Sequence, residues 1–128
     1  MENHLRPLKT VVVEDEKLSR EALVSYIKEY CPGLDVVAEC RSVREAHGAI
    51  IEHEPQLLFL DIELPGGDGF NLLKKCRRID FAVIFITAFS EYATKAFRFS
   101  ATDFLLKPVR ISELIEAVEK ARQYLRYR

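Results

Sequence analysis

The chain has 128 residues, 48% hydrophobic and 30% charged, which fits one globular domain and excludes a wholly disordered chain. With 19 Lys plus Arg against 20 Asp plus Glu the net charge is −1, so whole-chain charge gives no reason to expect nucleic-acid binding. No apolar run approaches the roughly 20 residues that span a bilayer, and Met1 to Pro7 carries no apolar signal segment, which together point to the cytoplasm and away from a membrane.

Residues 1–7 read as a flexible arm and residues 8–128 as the domain. The first apolar run, Val11-Val12-Val13, is too short for a helix and wholly β-branched, so it predicts a strand covered on both faces. Ala22, Leu23, Tyr26, Ile27 and Tyr30 follow at helical spacing, and Pro32-Gly33 ends that helix. Val36-Val37-Ala38 is a second strand. Ser42 and Glu45 form a capping box, opening a helix that turns Val43, Ala46 and Ile50 inward and stops before Pro55. Leu57-Leu58-Phe59-Leu60 is a third strand. Gly66-Gly67-Asp68-Gly69 reads as a tight turn that starts a third helix, with Leu72, Leu73 and Cys76 inward. A fourth strand, Ala82 to Ile86, leads to a short helix packing through Tyr92, Ala93, Ala96 and Phe97. Phe104-Leu105-Leu106 is a fifth strand. The last helix repeats Ile111, Leu114, Ile115, Val118, Ala121 and Leu125, with Arg122, Arg126 and Arg128 where positive charge complements the helix dipole. Strand and helix alternate five times, which predicts an α/β fold: a doubly wound, five-stranded parallel sheet.

In open α/β sheets ligands bind outside the carboxyl ends of the strands. Glu14, Asp15 and Glu16 follow the first apolar run, and Asp61 and Glu63 follow the third. Thr87 ends the fourth, and Lys107 follows the fifth. Carboxylates crowded at one edge repel one another unless a cation joins them. Mg²⁺ suits such a set, since it prefers oxygen and takes one or two carboxylates with a phosphate oxygen. Lys107 and Thr87 then suit the remaining oxygens of a phosphoryl group. The chain has neither a P-loop nor a G-x-G-x-x-G segment, so no nucleotide is expected. The phosphoryl group therefore belongs on the protein, and Asp61 is the acceptor candidate.

At these residues the chain resembles a bacterial two-component response-regulator receiver domain. The matching segments are Val11 to Glu16, Leu60 to Gly69, Ile84 to Ala88 and Asp103 to Pro108, and the resemblance covers residues 8 to 122. It implies a flavodoxin-like (βα)5 sheet of strand order 2-1-3-4-5. It implies that Asp61 takes a phosphoryl group from a sensor histidine kinase. Glu14, Asp15, Asp61 and the backbone carbonyl of Glu63 would hold Mg²⁺. Lys107 would pair with the phosphoryl group, and its bond to Pro108 would be cis. Thr87 and Phe104 would be the switch pair, moving the face built from the fourth helix, fifth strand and fifth helix. The family is a signalling domain that catalyses its own phosphorylation and dephosphorylation rather than an enzyme acting on outside substrates.

Thr87 to Phe97 is similar to regulators that carry a LytTR-type DNA-binding domain, so the chain reads as the receiver part of a longer regulator, or as a receiver that stands alone. DNA would then be met only through a separate output domain, and a phosphorylation-dependent homodimer is a further expected partner state. Glu14 stands where many members have Asp. Phe89, two residues after Thr87, would flank the phosphoryl site, where an apolar ring hinders the attacking water and lengthens the life of the phosphorylated form. The alternatives are a receiver-like binding module that works without phosphorylation, a Mg²⁺-dependent phosphatase and an FMN-binding flavodoxin. The last two lack, respectively, a cap segment and a phosphate loop after the first strand.

The remaining features read as structural. His4, His47 and His53 do not join the carboxylates and have poor metal-ligand spacing. Cys31, Cys40 and Cys76 read as reduced thiols in or near the core. Lys74-Lys75 and Arg77-Arg78 read as a solvated helix face.

Overall fold

A computed structural model describes residues 7–127 of the chain. The arm at residues 1–6, His4 with it, and Arg128 lie outside the described residues. Five strands, β1 (Leu8–Val13), β2 (Leu34–Cys40), β3 (Leu57–Asp61), β4 (Ala82–Thr87) and β5 (Asp103–Leu106), form one sheet of order β2-β1-β3-β4-β5. Every neighbouring pair in it is parallel. This is the doubly wound order the resemblance implies.

Five helices connect the strands: α1 (Lys17–Tyr30), α2 (Val43–His53), α3 (Gly69–Lys75), α4 (Ala93–Arg98) and α5 (Ile111–Tyr127). A 3-10 turn at Ser90–Tyr92 leads into α4. A hairpin of two-residue strands, Glu63–Leu64 against Gly67–Asp68, follows β3. Gly66 and Gly67, at φ 80° and 142°, supply the backbone its tight turn needs.

Residues alternate between the two faces of each strand. Val11, Val13, Leu58, Leu60, Val83 and Phe85 pack against α2, α3 and Ala96 of α4. Val12, Leu57, Phe59, Ala82, Ile84 and Ile86 pack against α1 and α5. Covering both faces is why the runs are apolar at nearly every position.

The starts of α2 and α3 are set by side chains. The Ser42 hydroxyl accepts the Glu45 amide at 3.1 Å, and Glu45 Oε1 accepts the amide of Arg41 at 2.8 Å. The expected reciprocal box is thus incomplete at Ser42, because Glu45 reaches one residue past it to Arg41; a full capping box joins Asp68 and Asn71, each side chain accepting the other's backbone N–H at 2.8 Å.

Helix phase differs from expectation in three places. The inward stripe of α1 runs through Leu23, Val24 and Ile27, which leaves Ala22 and Tyr30 exposed. On α5, Ile115 is exposed and Ala117 takes the inward place. In α4, Phe97 is 54% exposed. A helix of six residues offers few inward positions; Ala96 fills the buried one, and Phe99 beyond the helix end packs on Phe70 at 5.0 Å. Among the described residues no helix is long and apolar enough to cross a membrane.

Candidate functional site

Because the strands are parallel, their carboxyl ends share one edge of the sheet. Glu14 follows β1, Asp61 and Thr87 end β3 and β4, and Lys107 follows β5. Glu14, Asp61 and Thr87 are buried, whereas Asp15 is exposed. One carboxylate oxygen from each of Glu14, Asp15 and Asp61 lies within 4.8 Å of the others.

Lys107 joins two of these groups. Its Nζ is 2.6 Å from Glu14 Oε1 and 2.9 Å from Asp61 Oδ2. Its backbone N–H donates to the Thr87 carbonyl at 2.8 Å, which fixes where the side chain starts, and its bond to Pro108 is cis. Burial raises the Glu14 carboxyl above its usual range, opposed by the bond from Lys107 and the amide of Glu16. Burial pulls the Lys107 ammonium down, but its bonds to Glu14 and Asp61 outweigh that and hold it above its ordinary value.

Backbone contacts position the acids. Glu14 donates its N–H to the Cys40 carbonyl at 2.9 Å, and its Oε2 accepts the Glu16 N–H at 3.0 Å. Arg20, on α1, donates to the Glu14 carbonyl at 3.0 Å and lies 3.7 Å from Glu39 through Nε. Asp61 Oδ1 accepts the Glu63 N–H at 3.3 Å. Gly69 opens α3 directly over the end of β3, where a Cβ would stand 2.8 Å from the Asp61 carbonyl oxygen. Only glycine permits that approach.

The expected switch residues lie on one side of the sheet. Phe104 pairs in register with Phe85, two residues before Thr87, and the half-buried Phe104 packs into the same core as Phe85. Thr87 Oγ1 accepts the Phe89 N–H at 3.3 Å. The Phe89 ring is 41% exposed and meets Tyr92 edge-on at 6.3 Å. Glu63 is exposed in the hairpin, and burial together with the charge of Glu63 raises the Tyr92 phenol above its ordinary value.

Three anionic carboxylates and one ammonium leave the edge with an excess of negative charge and oxygen donors. That donor set fits a hard divalent cation such as Mg²⁺. A carboxylate beside an ammonium is also a nucleophile placed to receive a group that carries negative charge. A cavity of about 180 Å³ adjoins the site, with Glu14, Tyr26, Lys107, Pro108 and Val109 in its wall.

Of the residues expected from the sequence, Glu14, Asp15, Asp61 and Lys107 come together, Glu63 meets Asp61 through its backbone N–H, and Thr87 ends the neighbouring strand, whereas three features of the site are not foreseen. These are the Lys107–Glu14 pair, the Arg20 brace and the contact of Gly69 with the Asp61 carbonyl. Gly69 alone leaves a signal, in the glycine cluster after Pro65, which by itself indicates only a turn. Among the described residues His47 and His53 lie outside the acidic group, and His53 is 4.0 Å from Glu52. The three thiols are free, and Lys74, Lys75, Arg77 and Arg78 are exposed as expected.

Residues 10–119 match the family described as response regulator receiver domain. The chain is 41% identical over 113 residues to the sensory transduction protein LytT of Enterococcus faecalis, which covers 87% of this chain and 46% of LytT. It is 36% identical over 117 residues to the transcriptional regulatory protein BtsR of Escherichia coli, covering 91% of this chain and 48% of BtsR. It overlays the response regulatory domain of mrkE from Klebsiella pneumoniae with a TM-score of 0.85 at 27% identity, over 94% of this chain and 100% of that one. The chain spans about half the length of the curated relatives it matches.

Proposed function

The chain belongs to the response regulator receiver domain family, and we propose that it is a phosphorylation-dependent switch with Asp61 as the phosphoacceptor. The observation that carries this reading is the placement of the buried Asp61 carboxylate, 2.9 Å from Lys107 Nζ and grouped with Glu14 and Asp15.

An Asp61 oxygen attacks the phosphorus of a phosphohistidine on a sensor histidine kinase. The new P–O bond forms as the P–N bond breaks, and the imidazole leaves with a proton from solvent. Lys107 pairs with the phosphoryl oxygens by charge. Glu14, Asp15, Asp61 and the Glu63 backbone carbonyl would hold Mg²⁺, whose bound charge offsets that of the phosphoryl group. Water attack on the phosphorus later returns the free carboxylate and inorganic phosphate.

Thr87 couples the site to the rest of the domain. Its oxygen accepts from Phe89, so its own proton remains to be donated to a phosphoryl oxygen. That bond exists in one arrangement only, so phosphorylation shifts a two-state population, with Phe104 turning inward beside Thr87. The moving face is α4, β5 and α5, where Phe97, Leu106 and Ile115 are exposed apolar side chains. Such a surface suits a phosphorylation-driven homodimer or an output domain, and the likeness to LytT favours a LytTR-type DNA-binding output.

Intact-protein mass after incubation with acetyl phosphate and Mg²⁺ tests the reading. One added phosphoryl group is expected, lost in Asp61→Asn and lost when the metal is chelated. No addition under any condition favours a binding module that works without phosphorylation.

A further inference from the structure

We infer that Arg20 is a positioning residue for the metal site: its guanidinium grips the peptide between Glu14 and Asp15 and so sets how tightly the acidic group holds Mg²⁺. The inference rests on that group holding the ion.

Two of the three acids are neighbours in the chain, yet they are held differently. The Glu14 carboxylate is fixed by Lys107 at 2.6 Å and by the Glu16 amide at 3.0 Å. Asp15 is exposed, so the direction of its carboxylate follows from the backbone that carries it. The helix entered there does not secure that backbone with a cap. Glu16, at the start of α1, makes no side-chain cap, whereas Ser42 and Asp68 cap α2 and α3.

Arg20 supplies a restraint from within α1. Its Nη1 donates to the Glu14 carbonyl at 3.0 Å. A peptide group is planar, so the atoms from the Glu14 Cα to the Asp15 Cα move together. Holding the carbonyl oxygen holds the tilt of that plane, and with it the point from which the Asp15 side chain starts. The guanidinium is itself anchored on β2. Its Nε lies 3.7 Å from Glu39 Oε1, and Glu39 pairs in register with Val12. Glu14 also donates its N–H to Cys40, the residue after Glu39, at 2.9 Å. The end of β2 thus frames both the acid and its brace. The Arg20 side chain is only 13% exposed, and a planar fork of donors can hold two such acceptors at once.

Charge and position act in opposite directions here. A guanidinium near the site repels a divalent cation, so on charge alone its removal tightens Mg²⁺ binding. A guanidinium that orients the peptide has the opposite effect, and its removal weakens binding. Groups that orient a metal ligand typically carry about ten-fold or more in affinity.

The test is a titration of Mg²⁺ alone, with no phosphodonor, into wild type, Arg20→Met, Arg20→Lys and Lys17→Met. The amide resonances of Asp15, Asp61 and Glu63 give the dissociation constant. Methionine keeps an apolar stem and removes the guanidinium. Lys17 lies on the same helix and its side chain is 75% exposed, so Lys17→Met removes an equal charge without touching the carbonyl. The constant is expected to rise about ten-fold in Arg20→Met and about three-fold in Arg20→Lys, and not to rise in Lys17→Met. The Mg²⁺ concentration that half-saturates phosphorylation by acetyl phosphate is expected to rise in the same order. Wild-type or tighter Mg²⁺ binding in Arg20→Met overturns the inference, even with a lowered urea midpoint, because lost packing alone leaves the folded site as it was. An equal rise in Lys17→Met overturns it too. Should Arg20→Met not fold, the constant of Arg20→Lys decides. A wild type whose amides do not respond to Mg²⁺ overturns the metal reading and the inference together. If wild type binds Mg²⁺ but gains no phosphoryl mass, the switch reading alone fails and the constants still decide the role of Arg20.

Discussion

Lys107 Nζ lies closer to Glu14, at 2.6 Å, than to Asp61, at 2.9 Å. One ammonium thus bridges two buried carboxylates that lie 47 positions apart in the sequence. Removing it leaves both acids in a site that shields them from water. Lys107→Met is expected to cost about 2 kcal/mol in chelator, a moderate case of a broken buried ion pair because the lysine is itself partly exposed. Mg²⁺ is expected to restore more stability to the variant than it adds to the wild type. Urea unfolding of both proteins with and without Mg²⁺ reads this, and an equal Mg²⁺ increment counts against it.

The start of α3 tolerates no side chain. A Cβ at position 69 would meet the Asp61 carbonyl at 2.8 Å, Leu60 Cγ at 3.1 Å and the Ile62 Cα at 3.3 Å. Two of these three are backbone, so Gly69→Ala must move β3 or α3. The expected loss is about 2 kcal/mol, as for other overpacked sites, with slower phosphorylation by acetyl phosphate because Asp61 shifts. An unchanged urea midpoint together with an unchanged rate contradicts the close approach.

Cys40 makes stability fall in alkali. Burial, with Glu45 and Glu39 nearby, pushes its thiol from 9.0 up to about 11. Below about pH 9 the thiol is protonated whether the chain is folded or not. Between about 9 and 11 the unfolded chain releases this proton and the folded chain keeps it, so unfolding is favoured as pH rises. The full effect is roughly 2 to 3 kcal/mol. Unfolding free energies at pH 8 and pH 10.5 are expected to drop less in Cys40→Ala than in wild type. Parallel drops contradict a buried thiol as a source of the slope.

Phe89 is 41% exposed and fixed at its amide by Thr87. Its ring is expected to hinder the water that hydrolyses the phosphorylated form. Phe89→Ala is expected to shorten the lifetime of that form several-fold in a decay followed by intact mass. A lifetime equal to that of wild type removes the ring from that role.

The sheet was legible because burial on both faces leaves apolar runs that no helix would need. The site was legible because each run ends in a polar residue and the parallel order puts those ends together. Helix phase was less so. Val24 lies next to Leu23 and shares its face, so spacing alone did not favour Leu23-Val24-Ile27 over a stripe centred on Tyr26. Around α4 the inward aromatic is Phe99, just past the helix end, rather than Phe97, because the helix stops at Arg98 and the Phe99 ring then packs on Phe70. Contacts across the sequence left no local trace. Lys107 and Glu14 stand 93 positions apart, and nothing near either names the other. The capping box of Asp68 and Asn71 was hidden too, since both sit in a segment dominated by its glycines.

The most direct test of the central claim is chemical location of the phosphoryl group. Wild-type protein is incubated with acetyl phosphate and Mg²⁺, reduced with borohydride, and mapped by peptide mass. Borohydride reduces an acyl phosphate to the alcohol and expels phosphate, so the account predicts homoserine at position 61 and nowhere else. Reduction at another carboxylate, or none in a sample that has gained phosphoryl mass, contradicts Asp61 as the acceptor.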